Sequence, residues 1–226
     1  MFEENGGKVV QRMFPPIAVP DYGTYLAQLK TDVDGIFLGF AGSNGFRYLR
    51  QYNEYGLMKK VTPVGGMTAL DEAVLRNMGD EALGIVTSCW YSAEIANAIN
   101  KRFVANFRVD WGYDPGFYAA ATYVEAAVLD ATLQKLHGKI EDKEAFMKTV
   151  RSIKVDTARG PVAFDHLGNV VGNVYIRKVE RKDGRLVNRV IHIYPNVSQF
   201  WTYKEAEFLR NPVYSRDWPP AKNLEP

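Results

Sequence analysis

Short apolar segments alternate with helix-like patterns over the first 90 residues of this 226-residue chain. Residues 35–39 are wholly apolar, and 61–65 and 85–87 are also strand-like. The spacing of apolar and aromatic residues over 46–55 predicts a helix between the first two strands. Buried parallel strands are apolar on both faces, and strands that alternate with helices form α/β sheets. We therefore predict an α/β fold with a doubly wound parallel sheet.

The pattern changes after residue 91. Three helices are predicted between residues 92 and 152, the first opening at Ser92, with no strand among them. Strand patterns return after Gly160-Pro161, and Asp183-Gly184 predicts the turn of a hairpin. The three helices need a sheet to cover, and we find no spare strands for it in the sequence.

The charge balance argues against nucleic acid as a partner. The chain has 28 basic and 26 acidic residues, a net charge of +2, and no basic run of the kind that binds phosphates. The basic residues between 177 and 185, Arg177 included, flank the predicted turn, and we interpret them as a solvated hairpin. Neither a membrane span of about 18 apolar residues nor a signal peptide is recognisable.

Catalytic and metal-binding patterns are missing from the sequence. The three histidines are not spaced for a metal or for a base beside a nucleophile. Cys89 is the single cysteine, so no disulfide or thiolate cluster is expected within the chain. We interpret the carboxylates at 71–72 and 80–81 as helix caps. We expect no enzyme activity, no catalytic residue, no metal site and no cofactor.

Two features suggest a small-molecule site. The glycine-rich loop 39–45 joins a strand to a helix, where backbone N–H groups can bind an anionic or polar ligand at the end of a parallel strand; its glycines could equally serve a tight turn. The pair Trp90-Tyr91 follows a predicted strand, and the pair Phe117-Tyr118 lies at the start of a predicted helix. Such rings either line a cleft or belong to the core.

The order of these segments resembles a known family. The stretches ENGGKVV, DYGTYLAQLKTDVDGIFLGF and FRYLRQYNEYGL resemble the second lobe of type I periplasmic binding proteins of the leucine/isoleucine/valine-binding group. The stretch DPGFYAAATYVEAAVLDATLQK is similar to that family's return to the first lobe, and VDTARGPVAFDHLGN to its closing segment. The resemblance covers residues 1–200, and the ending YPNVSQFWTY with NPVYSRD is similar to a subgroup that handles aromatic carboxylic acids.

The resemblance implies a fold and a role. Residues 1–90 and 156–226 would form the second ligand-binding lobe with a C-terminal strap, and 91–155 would be a helical return segment of an incomplete first lobe. The family binds its ligand between two lobes that close by a hinge and delivers it to an ABC transporter permease in the periplasm. Because much of the first lobe is missing, we expect a fragment with weak affinity and with self-association through its exposed helices.

The resemblance also implies site residues. Ligand contacts are expected at Ala41, Gly42, Ser43, Met67 and Tyr118, and the aromatic pair adds Trp90 and Tyr91 as cleft walls. Amino-acid-binding members place an acidic residue in the loop that corresponds to residues 66–67, where it pairs with the ligand's ammonium. Met67 cannot neutralise a cation, so the sequence favours an aromatic ligand that is uncharged or carries a carboxylate.

Two other functions remain open at this point. The same binding fold serves as a ligand-sensing module in receptors and regulators. An enzyme on a doubly wound fold is a third interpretation, but it requires a phosphate loop or a catalytic dyad, and the sequence contains neither pattern.

Overall fold

The computed structural model describes residues 2–17 and 19–213. Short 3-10 turns and irregular loops connect the regular elements. The strands are β1 (Ile36–Leu38), β2 (Pro63–Gly65), β3 (Val86–Cys89), β4 (Val155–Thr157), β5 (Gly160–Phe164), β6 (Val170–Lys182) and β7 (Arg185–Val197). The helices are α1 (Gly23–Ala27), α2 (Ser43–Glu54), α3 (Glu72–Leu75), α4 (Ala98–Trp111), α5 (Phe117–Lys135), α6 (Lys143–Ser152) and α7 (Glu205–Phe208). Within the described residues, none of these helices has the length and apolar character of a membrane span.

The strands form one sheet in the order β1-β2-β3-β6-β5-β4, with β7 paired to β6. The pairs β1–β2 and β2–β3 are parallel, and the pairs that involve β4 to β7 are antiparallel. The α/β class and the parallel first part of the sheet are confirmed. The turn between β6 and β7 is also as predicted, because Asp183 and Gly184 both have positive φ, 50° and 75°, as a two-residue hairpin turn requires.

One face of the parallel part packs against α1 and α2. Leu38 lies in an apolar cluster with side chains of both helices, among them Leu26, Leu49 and Tyr52. The other face is open at this edge: Phe37 exposes 70% of its surface and its neighbour Val64 42%. The prediction that the apolar run 35–39 is buried on both faces is therefore wrong, because alternate strand residues point to opposite faces and only one face is covered.

Part of the sheet does lie beneath the predicted helices. Helix α5 contacts β4, and α6 contacts both α5 and β5. The sequence interpretation missed the short strand β4, whose three residues lie next to a turn and carry too little pattern to be recognised. Helices α5 and α6 therefore each pack one side against β4 or β5. Apolar residues elsewhere on α4 and α5 stay exposed, including Val109 on α4 and Leu129 on α5.

Other boundaries differ from those predicted. Helix α4 starts at Ala98 and is capped by the Asn97 side chain, which accepts from the Asn100 N–H. Ser92, the predicted start, instead donates its hydroxyl to the Asn188 carbonyl at 2.6 Å. Residues 8–10 are not in a strand. The predicted C-terminal strap continues with α7, and its aromatic residues Tyr214 and Trp218 lie outside the described residues.

Candidate functional site

The loop after β1 presents open backbone at the start of α2. Gly42 has φ 56° and ψ −138°, a conformation that glycine adopts without strain. Among the described residues no side chain caps this helix, and the neighbouring Ala41 and Ser43 are exposed. The first amides of a 12-residue helix carry partial positive charge. This loop can therefore donate hydrogen bonds to an anionic or polar group.

The loop after β2 lies beside the loop after β1. The Thr68 hydroxyl donates to the Phe40 carbonyl at 2.7 Å, and a Cβ added to Gly45 would lie 3.1 Å from the Ala69 carbonyl oxygen. Both loops leave the same end of the parallel strands, as expected for open α/β sheets. Met67 is 38% exposed at this edge. The structure thus brings Ala41, Gly42 and Ser43 to the same edge of the sheet as Met67.

Asp71 joins the second loop to helix α5. Its Oδ2 accepts from the Ala73 N–H at 3.3 Å and caps α3, and its Oδ1 accepts from the Phe117 N–H at 2.9 Å. Gly116 fits beside this carboxylate because it has no side chain: an added Cβ would lie 2.1 Å from Oδ2. The predicted capping role of Asp71 is confirmed for α3. Its bond to the start of α5, which the sequence did not suggest, places the first residues of α5 beside the loop after β2.

An aromatic cluster continues from the start of α5. The rings of Trp90 and Phe117 meet edge to face with centroids 6.0 Å apart, and Phe117 contacts Tyr118 at 4.2 Å. Trp90 is partly exposed and Tyr118 is 73% exposed. Tyr91 differs, because it is fully buried and its hydroxyl donates to Asn100 Oδ1 at 3.0 Å. Tyr91 therefore belongs to the core and offers no surface to a ligand, contrary to the sequence prediction for this residue.

Arg177 and Glu72 form a buried ion pair behind this edge. Arg177 has no exposed surface, donates to Thr87 Oγ1 at 3.1 Å and to the Tyr91 carbonyl at 2.8 Å, and lies 3.6 Å from Glu72 Oε2. Glu72 Oε1 accepts from the Ala93 N–H at 3.1 Å. Burial raises the pKa of Glu72 to about 7, although the positive charge of Arg177 acts in the opposite direction.

The interpretation of Arg177 as part of a solvated hairpin is wrong, and helix capping does not account for Glu72. The signal that could have identified Arg177 is its place in the alternation Tyr175, Arg177, Val179, since the other two members are buried as well and alternate strand residues share a face.

The two loops carry no free carboxylate. Of the described residues 39–45 and 66–72, Asp71 and Glu72 are the acidic ones, and both are buried. One binds backbone N–H groups and the other faces Arg177. Within residues 2–17 and 19–213 no group of three or more metal-ligating side chains could hold a metal ion. A surface concavity of about 400 Å³ is lined by residues of β4, β5 and β6 and by Asn196 of β7, none of which is a predicted site residue.

The chain is similar to a known protein family. A family model described as periplasmic binding protein matches residues 1–185. A curated relative, the Leu/Ile/Val-binding protein homolog 6 of Brucella abortus (strain 2308), is 25% identical over 202 residues, which are 85% of this chain and 51% of the relative.

Solved structures with similar folds include ABC-transporter solute-binding proteins. One from Rhodopseudomonas palustris BisB5, in complex with 3,4-dihydroxybenzoic acid, has a TM-score of 0.79 and 33% sequence identity. The match covers 87% of this chain and 55% of the R. palustris chain. Another from R. palustris, in complex with 4-hydroxybenzoate, has a TM-score of 0.78 and 28% identity, covering 86% and 54%. The chain thus spans about half the length of the relatives it matches.

Proposed function

This chain belongs to the periplasmic binding protein family, and on that basis we propose that it forms part of the ligand cleft of a solute-binding protein. The ligand is a small aromatic carboxylic acid, and the role is binding without catalysis. Transport, rather than sensing or catalysis, is favoured because the similar structures are solute-binding components of ABC transporters. The whole protein would release its ligand to an ABC permease in the periplasm.

One observation carries this proposal: aromatic surface and open backbone donors lie at one edge of the sheet, where the loops carry no free carboxylate. Aromatic rings at the edge give an aromatic ligand flat apolar surface to stack on. The N-terminus of α2, beyond Gly42, favours negative charge. An α-amino acid would need a negative group for its ammonium, and the loop carboxylates are already bonded within the protein.

Each site residue has a proposed part in binding. Trp90 and Tyr118 provide ring surface, and Met67 adds a flexible apolar contact. The backbone of Ala41, Gly42 and Ser43 provides hydrogen-bond donors.

The division of the chain into lobes is also part of the proposal. Residues 1–90 and 156–226 belong to the second lobe, and 91–155 to the first. The binding surface then lies where the two parts meet, between the loops after the parallel strands and the start of α5. A ligand that contacts both parts would favour their closure, because it gains contacts in the closed state that are missing in the open state.

The test is ligand-observed NMR on the 226-residue chain. Saturation-transfer difference titrations with 4-hydroxybenzoate, benzoate and leucine compare the two ligand classes at equal concentration. We expect saturable binding of the aromatic acids with a dissociation constant of about 1 mM, equivalent to a binding free energy of about −4 kcal/mol. The affinity is weak because only part of a cleft is present. A Tyr118→Ala variant should weaken this binding, whereas Tyr55→Ala, an exposed tyrosine at the end of α2, should not. Binding of leucine without binding of either benzoate would refute the proposal.

A further inference from the structure

A partly buried guanidinium lies against the aromatic cluster. Arg159 occupies the two-residue turn between β4 and β5, and its guanidinium carbon lies 4.5 Å from the centroid of the Trp90 ring. The indole in turn contacts Phe117 at the start of α5. Arg159 therefore stands at the same aromatic surface to which we assign the ligand, although neither its spacing in the sequence nor any motif suggested it.

Within residues 2–17 and 19–213, no acidic side chain neutralises the charge of Arg159. No Asp or Glu among the described residues forms an ion pair with it, unlike Arg108, Arg177, Arg181, Arg185 and Arg189, which each have an acidic partner. Burial lowers the pKa of the Arg159 guanidinium, but an arginine remains protonated at neutral pH. A partly desolvated cation without a counter-charge is unfavourable, so an anion at this position would stabilise the protein.

Two nitrogens of the Arg159 guanidinium have no hydrogen-bond acceptor among the described residues. Its Nη2 donates to the Asn173 carbonyl at 3.3 Å. Its Nε is buried with no partner among the described residues, and its Nη1 makes no hydrogen bond with them and is not closed off from solvent. A carboxylate can accept from two guanidinium nitrogens at once. Nη1 is the donor that an incoming carboxylate would reach first, and a small rotation of the side chain would present a second donor beside it.

The backbone holds Arg159 in this place. The Tyr175 hydroxyl donates to the Arg159 carbonyl at 2.7 Å, and the Arg159 N–H donates to Thr157 Oγ1 at 3.2 Å. Gly160, the next residue, has φ 92°, and an added Cβ would lie 2.9 Å from the Tyr175 hydroxyl. A turn pinned on both sides of the residue keeps the guanidinium over the indole, as a group that must recognise a ligand in one orientation requires.

We propose that Arg159 supplies the counter-charge for the carboxylate of the aromatic ligand, whose ring lies against Trp90 and Tyr118. This inference rests on the proposed function and makes Arg159 a residue that selects acids over neutral aromatics. The N-terminus of α2 is then free to bind a polar substituent elsewhere on the ring. A site of this kind rejects an isosteric amide, because the amide leaves the guanidinium without a counter-charge.

The experiment compares one acid with its neutral isostere, 4-hydroxybenzoate with 4-hydroxybenzamide, by the NMR titration described above. In the unchanged chain the acid should bind more tightly than the amide. Arg159→Met should weaken acid binding about ten- to a hundredfold, the size expected of a charge-assisted hydrogen-bonded pair, and leave amide binding within about twofold. Arg159→Lys keeps the charge without the planar fork, and it should restore part of the acid preference. Arg102→Met, at an exposed position on α4, removes the same charge elsewhere and should change neither ligand.

The outcomes separate the two proposals. If the unchanged chain binds the acid and Arg159→Met weakens acid and amide equally, Arg159 acts only by packing on Trp90, and this inference is wrong while the proposed function stands. If acid binding is unaffected by Arg159→Met, the inference is wrong as well. If the unchanged chain binds neither the acid nor the amide, the proposed function fails and this inference fails with it. Circular dichroism on Arg159→Lys, which preserves the packing on the indole, verifies that the fold is intact.

Discussion

The buried pair of Glu72 and Arg177 makes the stability of this protein depend on pH. Burial raises the pKa of Glu72 from 4.5 to about 7 in the folded chain. A group whose folded pKa is raised holds its proton more tightly in the folded state, so its stabilising contribution is complete below the unfolded pKa and is lost as pH rises through the folded one. The window is therefore pH 4.5 to about 7, with stability falling as pH increases.

The size of the effect follows from the two pKa values. Their difference corresponds to about 3 kcal/mol, and no discount for solvent screening applies because Glu72 is buried. Glu72→Gln mimics the protonated carboxyl at every pH and removes this titration. The free energy of unfolding of the unchanged chain relative to Glu72→Gln should therefore fall by about 3 kcal/mol between pH 4.5 and pH 8. For a chain of this size that corresponds to a change in Tm on the order of 10 °C.

The assay is urea unfolding followed by tryptophan fluorescence at pH 5, 6, 7 and 8. Arg177→Met should destabilise the protein by about 3–5 kcal/mol at pH 8, where the buried Glu72 must either stay charged without a partner or take up a proton, and by less at pH 5, where it is already neutral. Glu180→Gln, which removes the surface partner of Arg189, is the control and should show no comparable dependence on pH. An unfolding free energy difference between Glu72→Gln and the unchanged chain that is flat from pH 5 to pH 8 would refute the reasoning.

Two further predictions concern packing and association. Gly116→Ala should destabilise the fold by about 1–3 kcal/mol, because the new methyl group would overlap the Asp71 carboxylate. Gly35→Ala is the control and should be nearly neutral, because no atom lies within 4 Å of a Cβ added there. Equal Tm values for the two variants would contradict this prediction. Val109 and Trp111 are 86% and 64% exposed on α4, so we expect the chain to self-associate with rising concentration in sedimentation velocity, and replacing both with Gln should reduce association. Unchanged sedimentation of this double variant would place the contact elsewhere.

The local pattern was sufficient for the parallel strands and the main helices. The apolar run at 36–38, the helix that follows it and the turn at Asp183-Gly184 are encoded by neighbours within a few residues of each other. The α/β class followed from their order. The positive φ of Gly42 agrees with the alternative that the glycines of this loop serve a tight turn.

The residues that tie the site together were not predictable in this way. Asp71 bonds to the amide of Phe117, 46 positions away, and Arg177 bonds to Thr87, 90 positions away. Local sequence indicates which face of an element a residue occupies, but the partner across the fold depends on how the elements pack. A charged residue is normally exposed unless it is paired, so the sequence alone predicts an exposed Arg177 and a helix-capping Glu72.

Arg159 and Arg177 lie on the same sheet and differ in one respect that separates a structural role from a binding role. Arg177 is enclosed, and the protein supplies its partners: Glu72, the Thr87 hydroxyl and the Tyr91 carbonyl. The hydrogen bond from Arg177 to the Tyr91 carbonyl holds the backbone one residue after Trp90. Arg177 therefore helps to position the Trp90 indole. Arg159 lies over the indole itself and has no acidic partner among the described residues. A desolvated cation needs a counter-charge, and of these two arginines only Arg177 has one among the described residues, which is why we assign the counter-charge of Arg159 to a bound carboxylate.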